Sequence, residues 1–162
     1  MSATVVFLAL GSNVGDSRAN INQAVRLLSE KVTNITEAPV YTSKAVGYTD
    51  QPDFYNTAVR GDTELTPIEL LKFVKDVEAK VGRVVRFRWG PREIDIDIIF
   101  YGDQMLDSEV LTIPHPRFAE RDFVLKPICD IDQSFIDPLS NKTVGELLKA
   151  LPPTQLSILE QS

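Results

Sequence analysis

The residues from Thr4 to Leu10 are nearly all apolar and rich in Val, Phe and Leu. Such a run predicts a central strand covered on at least one face. Gly11-Ser12-Asn13-Val14-Gly15 predicts a turn, and Asp16 or Ser17 can cap the helix after it. Ile21, Ala24, Val25 and Leu28 recur at three- and four-residue spacing, which places them on one helix face. Val32 to Tyr41 predicts a second strand, edge or bent, because Pro39 has no backbone donor. Thr42 to Asp53 reads as a loop. Phe54 to Arg60 predicts a third strand, ended by Gly61-Asp62. In Thr66-Pro67-Ile68-Glu69, Thr66 can cap, Pro67 suits the first helical position and Glu69 completes a capping box. Leu70, Leu71, Val74, Val77 and Val81 supply that helix's apolar face, and Gly82 is a natural stop.

Residues 83–93 form an arginine-rich connection containing Gly90-Pro91. Ile94 to Tyr101 predicts a strand that opens in strict alternation, with Ile94, Ile96 and Ile98 on one face and Asp95 and Asp97 on the other. Residues 102–110 predict a short hairpin, and Pro114-His115-Pro116 is rigid. Short helices are predicted over Phe118 to Ile128 and Val144 to Leu151. Residues past Pro153 read as able to fray. The order strand, helix, strand, strand, helix, strand predicts the α+β class: a ferredoxin-like α/β sandwich, mostly antiparallel, with helices packed on the sheet. A chain of 162 residues with no repeat predicts a single domain over 1–162.

Hydrophobic residues at 43% and charged residues at 25% exclude collagen-like and fully disordered chains. With one cysteine, Cys129, no internal disulfide can form, and with one histidine, His115, a Cys/His structural zinc site is excluded. The N-terminal apolar run is too short to span a membrane and has no basic start, so no membrane association and a cytoplasmic location are expected. The net charge is −6, which disfavours nucleic acid as partner. Positive charge is instead local: Arg83, Arg86, Arg88 and Arg92 lie close together, and Arg117 and Arg121 follow. Arginine gathered this way on an acidic chain suits a small anion.

Asp95 and Asp97 are the sharpest chemical signal. Side chains two apart on a strand share a face, so the two carboxylates repel. An all-oxygen pair of this kind suits Mg²⁺, and arginine forks suit phosphate oxygens. Carboxylates for metal beside arginines for phosphate have the composition of a phosphoryl-transfer site. Two plainer readings use the same residues: a solvated strand face, or salt bridges between the aspartates and the arginines. No phosphate-cradling glycine loop of the Walker type is present, so a nucleotide would be held by side chains and metal.

Arg88-Trp89-Gly90-Pro91-Arg92-Glu93-Ile94-Asp95-Ile96-Asp97-Ile98 resembles the signature of the 6-hydroxymethyl-7,8-dihydropterin pyrophosphokinases. Ala9-Leu10-Gly11-Ser12-Asn13 resembles the family's opening strand and turn, and Asp50-Gln51-Pro52-Asp53-Phe54-Tyr55-Asn56 its pterin-side segment. Pro114-His115-Pro116-Arg117 and Arg121-Asp122-Phe123-Val124-Leu125-Lys126-Pro127 resemble its later blocks. The likeness runs from about residue 4 to residue 150.

The resemblance implies diphosphoryl transfer from ATP to the hydroxymethyl group of the dihydropterin, with AMP as the other product. Asp95 and Asp97 match the carboxylates that hold two Mg²⁺ ions. Arg83 and Arg92 join them in the catalytic set, Arg83 as an arginine of a mobile loop. On the ATP side the matches are Glu78, Arg83, Arg88, Trp89, Arg92, Ile98, His115, Arg117 and Arg121. On the pterin side they are Thr42, Ser43, Val46, Phe54, Asn56, Asp95 and Phe123, with Phe54 and Phe123 as the aromatic pair. The family carries Gly-Arg-x-Arg after the second helix, whereas this chain has Gly82-Arg83-Val84-Val85-Arg86. Either Arg86 fills the second arginine's role from a shifted loop, or that role is absent. Two other classes are weighed: another Mg-dependent phosphoryl or nucleotidyl transferase, and a ferredoxin-like binding module. A monomer is expected.

Overall fold

The longest uninterrupted apolar strand takes the middle of the sheet. β1 (Thr4–Ser12) lies between β4 (Phe54–Thr63) and β5 (Asp95–Tyr101) and runs antiparallel to both. Its residues from Val6 onward are all buried, as a central strand requires. The computed structural model describes residues 2–84 and 86–162. Beyond β4 lies a second strand broken in two, β2 (Val32–Glu37) and β3 (Tyr41–Ser43), both antiparallel to β4. The break spans Pro39, where the missing backbone donor interrupts the ladder. The helices α1 (Ser17–Leu28) and α2 (Pro67–Val81) make the two crossovers of the ferredoxin-like order.

Local chemistry sets both helices. The Asp16 side chain accepts from the Ala19 N–H at the start of α1. Thr66 and Glu69 form a reciprocal capping box on α2, and Gly82 ends it in the left-handed region at φ +111°. One face of the sheet buries Val6, Leu8, Leu10, Ile96 and Ile98 against Ile21, Ala24, Leu70 and Val74 of these helices. The other face is built differently. Phe7, Phe100, Phe118 and Phe135 pack with ring centroids 4.7–5.9 Å apart. They lie with α3 (Asp122–Asp132) and α4 (Val144–Lys149), which cover part of that face.

Several boundaries differ from the sequence reading. β1 continues through Gly11 and Ser12 instead of turning there. β4 continues through Gly61-Asp62, because a Cβ at residue 61 would collide with Val32 of β2: this glycine permits close approach and does not end the strand. The hairpin falls later, as β6 (Leu106–Asp107) and β7 (Thr112–Ile113). The first tail helix splits into a 3₁₀ turn at Phe118–Glu120 and α3. Past Pro153, where fraying was expected, β8 (Ile158–Gln161) pairs antiparallel with β3. Among the described residues no helix is long and apolar enough to cross a membrane.

Candidate functional site

Alternation along β5 sends Ile96 and Ile98 into the packed face and Asp95 and Asp97 to the other. Across the ladder Asp97 pairs with Ala9, and Ala9 with Ala58. Asp95 pairs with Gly11, and Gly11 with Asn56. The residues opposite the carboxylates are therefore small, and the sheet surface dips. A Cβ at Gly11 would lie 3.2 Å from Asn56 Oδ1 and 3.6 Å from the Phe54 ring, so glycine lets both side chains come close over the strand. The dip is the floor of a cavity of about 250 Å³. Phe54, Phe123 and Val46 give it apolar walls, and Asn56 and Ser43 give it polar atoms. Asn56 is 5% exposed, and its Nδ2 donates to Ser43 Oγ at 2.6 Å, which fixes the amide on the cavity wall.

A second cavity, of about 380 Å³, lies on the other side of the carboxylates. Ile98, Leu111 and Thr112 line it, together with Glu78, Lys75 and Arg83. Asp95, Asp97 and His115 border both cavities. This shared edge is where a group could pass between ligands bound in the two spaces.

The charges on that edge are strongly coupled. Burial pushes the Asp97 carboxyl well above the usual carboxylate range, the neighbouring Asp95 adds to the shift, and Arg121 opposes it. Asp95 accepts from Arg83 Nη1 at 3.2 Å, and Arg83 also pairs with Glu78 Oε2 at 2.8 Å. Burial raises Glu78, against the Ile96 N–H, which donates to its Oε2 at 2.8 Å. His115 is held by its own N–H to the Ile99 carbonyl at 3.1 Å, and its Nδ1 accepts from the Arg117 N–H at 3.2 Å. Burial, with Arg121 next, lowers its pKa to about 4, so the ring is neutral near pH 7 with its proton on Nε2.

Three loops meet at the mouth of the first cavity. The Asn13 N–H donates to the Arg92 carbonyl at 2.9 Å, and Asn13 Oδ1 accepts from the Arg92 N–H at 2.8 Å. Asn13 Nδ2 donates to Gln51 Oε1 and to the Pro52 carbonyl, each at 2.9 Å. Gln51 Nε2 donates to the Trp89 carbonyl at 2.7 Å. Trp89 packs on Gly47, where a Cβ would lie 2.9 Å from its Cγ and where φ is +84°. Arg88, Arg117 and Arg121 surround the Trp89 ring at 5.0, 5.1 and 5.7 Å from guanidinium carbon to centroid.

Most of the sequence-named residues converge here, on one cavity or the other. Ser43, Val46, Phe54, Asn56, Asp95 and Phe123 line the first cavity. Arg88, Trp89, Arg92 and Arg121, matched to ATP by resemblance, line that cavity too, because residues 88–92 lie over it. Glu78, Arg83 and Ile98 line the second. Thr42 is buried in β3 and lines neither, and Arg117 reaches the site through the Trp89 ring. Arg86 makes a two-pronged bond to Glu93, at 2.8 and 2.7 Å, and lines neither cavity. That pairing holds the Glu93 carboxyl down at about 2. Val85, in the same run, lies outside the described residues. Asn13 and Gln51 carry the loop junction, yet no role was read for them. Their signal was present as polar residues inside the glycine-rich turn and the 50–56 segment. Lys75, Leu111 and Thr112 gave no signal, since only the fold brings them together.

The profile of the family described as 7,8-dihydro-6-hydroxymethylpterin-pyrophosphokinase (HPPK) matches residues 7–133. The 2-amino-4-hydroxy-6-hydroxymethyldihydropteridine pyrophosphokinase of Aquifex aeolicus is 43% identical over 87% of this chain and 88% of its own. The Bacillus subtilis protein of the same name is 42% identical over 80% of this chain and 78% of its own. The mitochondrial folate synthesis bifunctional protein of Pisum sativum is 46% identical over 82% of this chain, which spans 26% of that longer protein. Among solved structures, wild-type HPPK-DHPS of Plasmodium falciparum aligns with a TM-score of 0.73 at 15% identity, over 91% of this chain and 44% of that one. At that identity the likeness is one of fold.

Proposed function

Because the chain belongs to the 7,8-dihydro-6-hydroxymethylpterin-pyrophosphokinase family, we propose that its two cavities hold ATP and 6-hydroxymethyl-7,8-dihydropterin on either side of Asp95 and Asp97. The chain is a pyrophosphokinase of folate synthesis. The alcohol oxygen bonds to the β-phosphorus of ATP, the α–β bridge breaks, AMP leaves and the alcohol proton passes to solvent. The observation that carries this division is the shared edge of Asp95, Asp97 and His115 between the two spaces.

The first cavity suits a flat heterocycle with polar edges. Phe54 and Phe123 offer apolar faces, and the buried Asn56 amide reads an edge. The second suits a nucleotide: Ile98 and Leu111 offer an apolar bed, with Lys75 and Arg83 for phosphates. Arg92 and Arg121 line the first cavity, Arg121 acting on Asp97 and His115 of the shared edge, and offer guanidinium groups to the transferring group. Neutral His115 offers Nε2–H as a donor to a phosphate oxygen.

The residues present fit Mg²⁺. Among the described residues no three His, Cys, Asp or Glu side chains gather at one point, and Asp95 and Asp97 supply oxygen donors alone. A hard cation with two protein carboxylates completes its shell with water and phosphate oxygens. We take the number of ions to be two, and when bound they neutralise the triphosphate and the charge built during transfer. Arg83 holds Asp95 here, and with a cation held by Asp95 and Asp97 it would be free to turn to the phosphates. In this reading the chain works in the cytoplasm, as a monomer, on small molecules.

The test is a product assay with ATP, Mg²⁺ and the dihydropterin. AMP equal in amount to a pterin diphosphate, and dependent on the pterin, is expected. ADP in its place would overturn the diphosphoryl reading while leaving a phosphoryl-transfer site.

A further inference from the structure

Asp122 opens α3 between two residues of the first cavity, Arg121 and Phe123, but its own side chain does not line that cavity. It is 3% exposed. Its carboxylate accepts from the Ser157 N–H at 2.8 Å, the Ser157 hydroxyl at 2.7 Å and the Ile158 N–H at 2.9 Å. Three donors satisfy a charge so removed from water. The Ser157 carbonyl in turn accepts from the Lys44 N–H at 3.0 Å, and Ile158 pairs with Ser43. Ser43 holds the Asn56 amide. A continuous polar path therefore joins the wall that carries Phe123 to the wall that carries Ser43 and Asn56. β3 has three residues and, without β8, would be a short edge beside β4.

We propose that Asp122 is a positioning residue which, through Ser157 and the C-terminal strand, sets the spacing of the two walls of the dihydropterin cavity. This rests on the reading of that cavity given above. Neither Asp122 nor Ser157 touches the nucleotide side, so their effect falls on one substrate.

The experiment compares Asp122→Ala, Ser157→Ala, Ser157→Thr and the double alanine variant with the unmodified protein. The dihydropterin Kd is measured by fluorescence titration, and the ATP KM by AMP formation. Asp122→Ala weakens dihydropterin binding about tenfold or more, as expected for losing hydrogen bonds to a charged acceptor, while the ATP KM stays within about twofold. Ser157→Ala has a smaller effect in the same direction, Ser157→Thr restores binding, and the double variant is no worse than Asp122→Ala. Ser157→Ala keeps both backbone donors bonded, so it reads the effect even where Asp122→Ala does not fold. A dihydropterin Kd within about twofold of normal in folded variants, or equal weakening of both substrates, would overturn the proposal. Amide exchange at Lys44 reads the linkage without substrate, and no acceleration there in Asp122→Ala or Ser157→Ala also overturns it. If the unmodified protein binds no dihydropterin while exchange at Lys44 responds to both variants, the reading of the cavity fails and the linkage stands.

Discussion

The two faces of the sheet are put to different uses. On the α1/α2 face, Leu8, Leu10, Ile96 and Ile98 meet helix side chains along the strands, and the second cavity opens only where Ile96 and Ile98 reach the edge beside Leu71 and Val74 of α2. On the other face, the aromatic cluster under α3 and α4 fills one end, while Ala9 and Gly11 leave the other end shallow. The same strand β5 feeds both: its isoleucines bind the fold together, and its aspartates border the cavities. Chemistry sits where packing has been withheld, and the cost of two close carboxylates is borne by a sheet stabilised from behind.

That contrast can be broken most sharply at Asp97. Asp97→Asn keeps the shape and removes the charge, and should lower turnover on the order of 10²–10³-fold, by single-turnover AMP formation, with dihydropterin affinity little changed. Near-normal turnover would reject the metal and phosphate role of the pair. Leu70→Ala, on the filled face, should do the opposite. It should cost about 2–5 kcal/mol in urea unfolding and leave the kcat of folded protein unchanged.

A milder test works at the floor of the dip. Gly11→Ala brings a methyl group to 3.2 Å from Asn56 Oδ1, so the amide must shift. Dihydropterin affinity should fall roughly tenfold, the equivalent of one hydrogen bond, with no loss in ATP affinity. A normal Kd would show that Asn56 does not read the pterin edge.

The smallest effect is on stability against pH without metal, and here two groups act in opposite senses. The Asp97 pKa is raised on folding, so its contribution is full below the ordinary carboxylate range and is lost as pH rises through the raised value. The His115 pKa is lowered to about 4, so its contribution is present above the unfolded value and is lost as pH falls toward 4. Below the ordinary histidine range the two slopes oppose each other, so urea midpoints taken from pH 4 to pH 8 in chelator should change little there and decline above it. Asp97→Asn should remove the upper decline and expose the His115 loss toward pH 4, and an unchanged upper decline would place its origin elsewhere.

What could be read in advance was local chemistry. Thr66, Pro67, Glu69 and Gly82 specify α2 through neighbours within one or two turns, so its ends were legible. Gly61 was misread because the side chain it must clear, Val32, is distant in sequence: the same residue type marks a stop in one setting and a close crossing in another. β8 could not be foreseen for a similar reason, since its pairing depends on the exposed side of a three-residue strand. At the site, strict alternation placed Asp95 and Asp97 together. It could not say that residues 88–92 would lie over the first cavity and bring Arg88 and Arg92 to it.

Trp89 is the single tryptophan of the chain, and it sits among three guanidinium groups at the mouth of the first cavity. Indole emission responds to the electric field across the ring and to nearby quenchers. An anion that draws Arg88, Arg117 or Arg121 off the indole face would change the colour and yield of its light. The molecule thus carries its own optical gauge, with no competing indole, and arrival of a phosphate-bearing ligand can be followed in real time without a label.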